Sequence, residues 1–168
     1  MAPLVLTAAT ADDAAEIAAV RNAAADHLTE RYGAGHWTSS VTPKGVLGDM
    51  RRRMRVFVGS HQSRIAVTLS LQTRKPWAID PKYFAPCDRP IYLTNMAVLP
   101  EFQRQGIGRQ SLESAIAIAR EWPGDAVRLD AYDADAGAGG FYLRCGFREV
   151  GRVVYKRIPL RYFEWMIR

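Results

Sequence analysis

IYLTNMAVLPEFQRQGIGRQSLESAIAIARE, residues 91–121, changes its hydrophobic period partway along. IYLTNMAV is β-branched, aromatic and apolar in the manner of a strand. From SLESAIAIARE onward, Leu112, Ala115, Ile116, Ala119 and Trp122 recur at helical spacing and give one apolar face. Between the two lies QRQGIG, Gln103–Gly108. A loop that feeds a helix presents backbone N–H groups with no internal partner, at the positive end of the helix dipole. That arrangement suits phosphate. Gly106 and Gly108 let an anion approach the backbone, and Gln103, Arg104, Gln105 and Arg109 offer further donors at the rim. No Walker A string is present, and a dinucleotide fingerprint fails because Ser111 stands where its third glycine belongs. Glycines also serve plain strand-to-helix turns, so both readings stand on these six residues alone.

Working outward, LVLTAAT reads as a short first strand, and Thr10 followed by Asp13 has capping-box spacing for a helix. Ile17, Val20, Ala24 and Leu28 give that helix its apolar face until Gly33 and Gly35 end the pattern. A second helix is expected from about Pro43 to Met54. RVFVGS and RIAVTLSLQT read as antiparallel strands joined by HQSR, and KPWAIDPKYFAPCDRP as a long ordered loop. After the helix, AVRLDAY sets Val127, Leu129 and Ala131 on one face against Arg128, Asp130 and Tyr132 on the other. A short helix follows, with Asp135 as its candidate N-cap and Gly146 as its stop. Two last strands, REVGRVVYKRI and PLRYFEWMI, are split by Pro159.

Composition limits what such a chain can be. Its 168 residues, 48% hydrophobic and 24% charged, suit one domain over residues 1–168. No apolar run approaches the roughly 20 residues of a membrane helix, and the N-terminus lacks a secretory pattern, so a cytoplasmic protein is expected. Cys87 and Cys145 have no neighbours at metal-ligand spacing, which predicts two unbridged thiols and no metal. A net charge of +6 suits an anionic partner. The run Arg51, Arg52, Arg53 and Arg55 reads as a solvated helix end, with a nucleic-acid patch as the rival reading.

Gln103-Arg104-Gln105-Gly106-Ile107-Gly108 resembles the Gln/Arg-x-x-Gly-x-Gly/Ala signature of the GCN5-related N-acetyltransferases, in the family's place after the fourth strand. Ala138, Tyr142 and Gly146-Phe147 resemble a second segment of that family, in the right order, and the element order follows it over essentially the whole chain. The resemblance implies an α/β fold: a mixed, mostly antiparallel sheet of about seven strands with helices on both faces, splayed between the fourth and fifth strands. It also implies transfer of acetyl from acetyl-CoA to a primary amine by direct attack.

Carried over residue by residue, the pyrophosphate would rest on the amides of Gln105, Gly106, Ile107, Gly108 and Arg109, with Arg104 beside them. The pantetheine arm would pair with Met96, Ala97 and Val98, and a backbone N–H of Ala97 or Val98 would face the developing oxyanion. Tyr142 would meet the thioester sulfur as proton or hydrogen-bond donor. Asp135 stands where many relatives carry Asn against the cofactor arm, and an ionised Asp cannot donate that bond. Tyr92 stands where histone-type relatives place a glutamate base, which leaves Glu30, Glu101, Asp130 and Asp133 as the carboxylates to consider. Trp77, Tyr83 and Phe84, in the long loop, either line the acceptor pocket or plug the sheet edge. The acceptor, small molecule or peptide, stays open. A non-catalytic acyl-CoA-binding module is the alternative to an enzyme, and the aromatic end RYFEWMI offers either a strand or a contact for a homodimer.

Overall fold

Gln62 and Ser63 both take left-handed backbone angles, φ 50 and 62, in the computed structural model, which describes residues 2–168. Two such residues make a hairpin turn whose twist matches its strands, and they join β2 (Arg55–His61) to β3 (Arg64–Gln72) with His61 opposite Arg64. The HQSR reading therefore holds. Every residue of β3 from Ile65 onward is buried, Thr68 and Ser70 included, so this strand is covered on both faces. The Thr68 hydroxyl donates to the Phe57 carbonyl at 3.0 Å, which satisfies it inside the core.

The chain divides into two units, one running to Leu71 and including Thr94–Ala115, the other made of Gln72–Leu93 and Ile116–Arg168. In the first, β1 (Leu6–Ala8) pairs antiparallel with β2. The Asp13 carboxylate accepts from the Thr10 N–H at 2.8 Å, the reaching-back half of a capping box, and a single 3-10 turn leads into α1 (Ala14–Tyr32). Ile17 and Val20 are buried as the periodicity predicts, and Gly33, at φ 80, ends the helix. Asn22 donates to the Val41 carbonyl and accepts from the Val41 N–H, both at 2.8 Å, so α1 holds the end of the loop leading to α2 (Pro43–Arg51). That second helix stops three residues before the expected Met54. The Arg52 N–H already bonds the Gly48 and Asp49 carbonyls, and Arg53 turns left-handed at φ 67. Arg51, Arg52, Arg53 and Arg55 are exposed there, as a solvated helix end would be.

β4 (Pro90–Val98) runs through both units. In the second unit, β5 (Ala126–Tyr132) pairs antiparallel with β7 (Ile158–Met166), which pairs with β6 (Arg148–Tyr155). The last two strands part at Lys156–Arg157, φ 46 and 67, and not at Pro159, which lies inside β7 opposite Val154. RYFEWMI takes the strand reading: residues 161–166 lie in β7, paired with β5 throughout and with β6 as far as Glu164, and Tyr162 and Phe163 are 1% and 0% exposed.

α3 (Ile107–Glu121) and α4 (Gly139–Arg144) complete the helices. Seven strands are ordered β1-β2-β3-β4-β5-β7-β6, with the β4–β5 pair parallel. This is the mixed sheet expected from the sequence. Cys87 and Cys145 form no disulfide. Among the described residues no helix is long and apolar enough to cross a membrane.

Candidate active site

β4 changes character at its midpoint. Pro90–Tyr92 pair in parallel with Ala126–Arg128 of β5, and there the ladder stops, although both strands continue. Ile91, Tyr92 and Leu93 are buried, whereas Thr94–Val98 are only half-buried. Asn95 takes φ 55 inside the strand, which redirects the three residues after it. These are Met96, Ala97 and Val98, the stretch expected to present an edge.

Beyond that edge, the Leu99 N–H bonds the Ala66 carbonyl at 2.8 Å and one 3-10 turn, Pro100–Phe102, sinks Phe102 into the core. QRQGIG begins there. Arg104 and Gly106 are both left-handed, φ 60 and 82, and the Gln110 N–H returns to the Gly106 carbonyl at 3.0 Å to open α3. The N–H groups of Ile107 and Gly108, at the start of the first helical turn, thus have no intrahelical acceptor. A Cβ on Gly106 would meet only the Gln110 amide nitrogen, at 3.6 Å, so open space and not packing surrounds it. Gln105 and Ile107 also line a cavity of about 400 Å3 with Leu4, Ser60, His61 and Gln110. The two glutamine side chains have a different role from the one expected at the rim. Gln103 donates to the Val98 carbonyl at 3.1 Å and Gln105 to the Glu101 carbonyl at 2.9 Å, so they hold the loop in shape. Arg104 and Arg109 remain exposed beside the amides.

Tyr142 belongs to the second unit. It is buried, 7% exposed, with its ring centroid 5.7 Å from Phe147 and 5.8 Å from Phe163. The Gly-Phe pair explains this placement. Gly146 ends the helical turn at φ 94, and the Phe147 N–H then folds back onto the Tyr142 carbonyl at 3.1 Å. A Cβ on Gly146 would lie 2.8 Å from the Trp165 ring. Burial pushes the Tyr142 phenol well above its ordinary pKa, and the nearby Asp130 carboxylate and Cys145 push it the same way. The phenol is therefore a neutral hydrogen-bond donor at any ordinary pH.

Residues 51–147 match the model of the acetyltransferase (GNAT) family. The chain belongs to that family. No curated protein matches it by sequence. Its structure is similar to a GNAT-family acetyltransferase of Streptococcus agalactiae, at TM-score 0.76 and 13% identity over 98% of this chain and 96% of that one. It is also similar to yncA of Salmonella typhimurium, solved with its cofactor acetyl-CoA, at TM-score 0.71 and 17% identity over 99% and 95%. The ribosomal-protein-S18-alanine N-acetyltransferase of Escherichia coli aligns at TM-score 0.70 and 18% identity over 98% and 94%. At such identities the likeness to solved structures is one of fold.

For a GNAT chain, the remaining candidates fall into place unevenly. Asp135 is not the N-cap of α4, a position held by Ala138. The Gly137 N–H bonds the Ala134 carbonyl at 2.8 Å, and a Cβ on Gly137 would lie 1.7 Å from the Tyr132 carbonyl oxygen. That tight turn leaves Asp135 exposed ahead of the helix. Tyr92 is a core residue, clustered with Ile79, Phe84 and Tyr162. Glu101 pairs with Arg64 at 2.8 Å and Asp133 with Arg152 at 3.4 Å, while Glu30 is exposed.

Ile79 and Phe84 plug the long loop into that cluster, with Trp77 left 81% exposed. The Tyr162 hydroxyl donates to the Ala78 carbonyl and accepts from the Asp80 N–H. Sequence reasoning missed what secures the loop. Arg128 and Glu164 form a buried ion pair at 2.9 Å, and they bond the Ala85 carbonyl and N–H at 2.6 and 3.2 Å. Arg128 also donates to Cys87 Sγ at 3.3 Å, and burial raises that thiol's pKa against the lowering by Arg128. A lone carboxylate amid the apolar residues of RYFEWMI was the available signal.

Proposed function

We propose that residues 1–168 form one cytoplasmic acetyltransferase domain that moves an acetyl group from acetyl-CoA to a primary amine of a small molecule. The observation that carries this reading is the turn at Arg104–Gly108, left-handed at Arg104 and Gly106 and open beside Gly106, at the start of a 15-residue helix. An anion fits there. Gln105, Gly106, Ile107, Gly108 and Arg109 would hold the pyrophosphate by backbone N–H groups, with the guanidinium of Arg104 at the rim. The pantetheine arm would add to the β4 edge at Met96–Val98, which no β5 residue pairs in the ladder. A backbone N–H of Ala97 or Val98 would stabilise the charge growing on the thioester oxygen as the neutral amine attacks.

Tyr142 would donate a hydrogen bond to the departing sulfur. A thiol of pKa about 8.5 is a much stronger acid than this buried phenol, so the thiolate can leave without taking the phenolic proton. Asp135, exposed before α4, would contact the cofactor arm only as an acceptor. The net charge of +6 complements a ligand with several phosphates.

Two readings compete. A peptide amine is the second acceptor class, since the Escherichia coli neighbour is named for a ribosomal-protein alanine. A non-catalytic acyl-CoA module is favoured by Tyr92 lying in the core where histone-type relatives place a base. Calorimetric titration with acetyl-CoA, beside a Gly106→Glu, Gly108→Glu variant, tests the main reading. Micromolar binding by the wild type, lost in a still-folded variant, is expected. Equal binding by both would remove the turn from the site. Binding without turnover over a broad amine and peptide panel, and no effect of Tyr142→Phe, would favour the non-catalytic module.

A further inference from the structure

We propose that Arg21 is a positioning residue for the β4 edge: it holds Asn95 in its left-handed conformation and so fixes the backbone of Met96–Val98. What that edge binds rests on the acetyl-CoA reading above. A non-glycine residue at φ 55 inside a strand is strained, and such strain persists where the surroundings over-determine it. Asn tolerates the conformation better than most residues, yet nothing in a strand ladder favours it. The constraint comes from across the fold. Asn95 Oδ1 accepts from Arg21 Nη2 at 3.2 Å, from a residue 74 positions away, and Arg21 Nη1 lies 3.3 Å from Asp49 Oδ2. One guanidinium thereby ties α1, α2 and the bend in β4 together.

Three further observations support it. The Arg21 and Asp49 side chains are 20% and 23% exposed, so solvent screens this pair less than the Arg64–Glu101 pair at 52% and 54%. Directly before the bend, the Thr94 hydroxyl oxygen is buried with no hydrogen-bond partner. The Thr94 side chain therefore supplies no hydrogen bond that could hold the bend. At the far end of the stretch, Gln103 holds the Val98 carbonyl at 3.1 Å. Met96–Val98 is thus pinned at both ends, by Arg21 through Asn95 and by Gln103 directly.

Amide hydrogen exchange without ligand, and calorimetry with two ligands, test the proposal on Arg21→Gln. Exchange at Met96–Val98 is expected to rise about tenfold, the effect of losing one charged hydrogen bond of ordinary strength, with Gln105–Arg109 unchanged. Acetyl-CoA should bind roughly tenfold more weakly, whereas adenosine 3′,5′-bisphosphate, which lacks the pantetheine arm, should bind as before. Glycine adopts φ 55 unaided, so in an Asn95→Gly background the same Arg21 change should alter acetyl-CoA affinity less than about twofold. Should Arg21→Gln not fold, Arg21→Lys carries the test, because it keeps the charge beside Asp49 without the fork that reaches two partners.

Wild-type exchange and acetyl-CoA affinity in the variant would overturn the proposal, as would an equal loss in the Asn95→Gly background. If wild-type protein binds neither ligand, the acetyl-CoA reading falls, and the exchange pattern at Met96–Val98 alone still decides the role of Arg21.

Discussion

Gly106 and Gly146 share a left-handed backbone, φ 82 and 94, and differ in nearly everything else. Gly106 opens a helix and is exposed, with its nearest would-be neighbour the end of a flexible glutamine at 3.6 Å. Gly146 follows a helix, and its missing side chain makes room for the Trp165 ring, which a Cβ would approach to 2.8 Å. One glycine keeps a space empty and the other lets a space be filled. Both belong to the motifs that carry the family resemblance, but one leaves backbone exposed at a helix start and the other serves the packing that buries Tyr142.

Substitutions should separate the two. Gly146→Ala combines backbone strain with overpacking against Trp165, and a loss of about 2–4 kcal/mol in urea unfolding is expected. A loss below about 1 kcal/mol would show that Trp165 yields and that packing is not what distinguishes this glycine. Gly106→Ala should destabilise by only about 1 kcal/mol, since only the backbone angle resists it. Its expected signature is weaker acetyl-CoA binding, by roughly tenfold, and unchanged affinity would mean that no anion approaches that position.

The smallest effect at neutral pH is expected for Tyr142→Phe, which deletes one hydroxyl and keeps the ring contacts. Its stability difference should appear in alkali. Because burial raises the folded-state pKa, the stabilisation from the neutral phenol is complete below the unfolded value of about 10 and fades as pH climbs from there toward the folded value. Melting temperatures between pH 9 and 11 should thus fall less steeply for Tyr142→Phe than for the wild type. Parallel curves would show that the phenol ionises in the folded protein as readily as in the unfolded one.

The same contrast explains what was legible in the sequence. QRQGIG and the Gly-Phe pair could be read because glycine at a helix end reports a backbone angle directly. HQSR could be read from the strands beside it. Lys156–Arg157 makes an equally left-handed turn without glycine or asparagine, so Pro159 drew the boundary instead. Asp135 has the residue type of a cap, whereas the turn before α4 is set at Gly137, where a Cβ would meet the Tyr132 carbonyl oxygen. Alternation in AVRLDAY identified the face that carries Arg128 and could not say that a loop covers it. The Arg21–Asn95 bond joins residues 74 apart, and no local pattern encodes such a meeting.

Asn22 has a consequence for how this protein can change. Its side-chain amide satisfies both backbone groups of Val41, so the connection between α1 and α2 is closed before α2 begins. The length of the stretch from Gly33 to Ser40 is therefore decoupled from the placement of α2. Chain entropy penalises a longer loop only logarithmically, each doubling by about 0.6 kcal/mol. Insertions between these ties can accumulate at little cost to the fold, while a change at Asn22 would free Val41 and leave the segment held to α1 through the Trp37 Nε1–Thr29 Oγ1 bond at 3.2 Å.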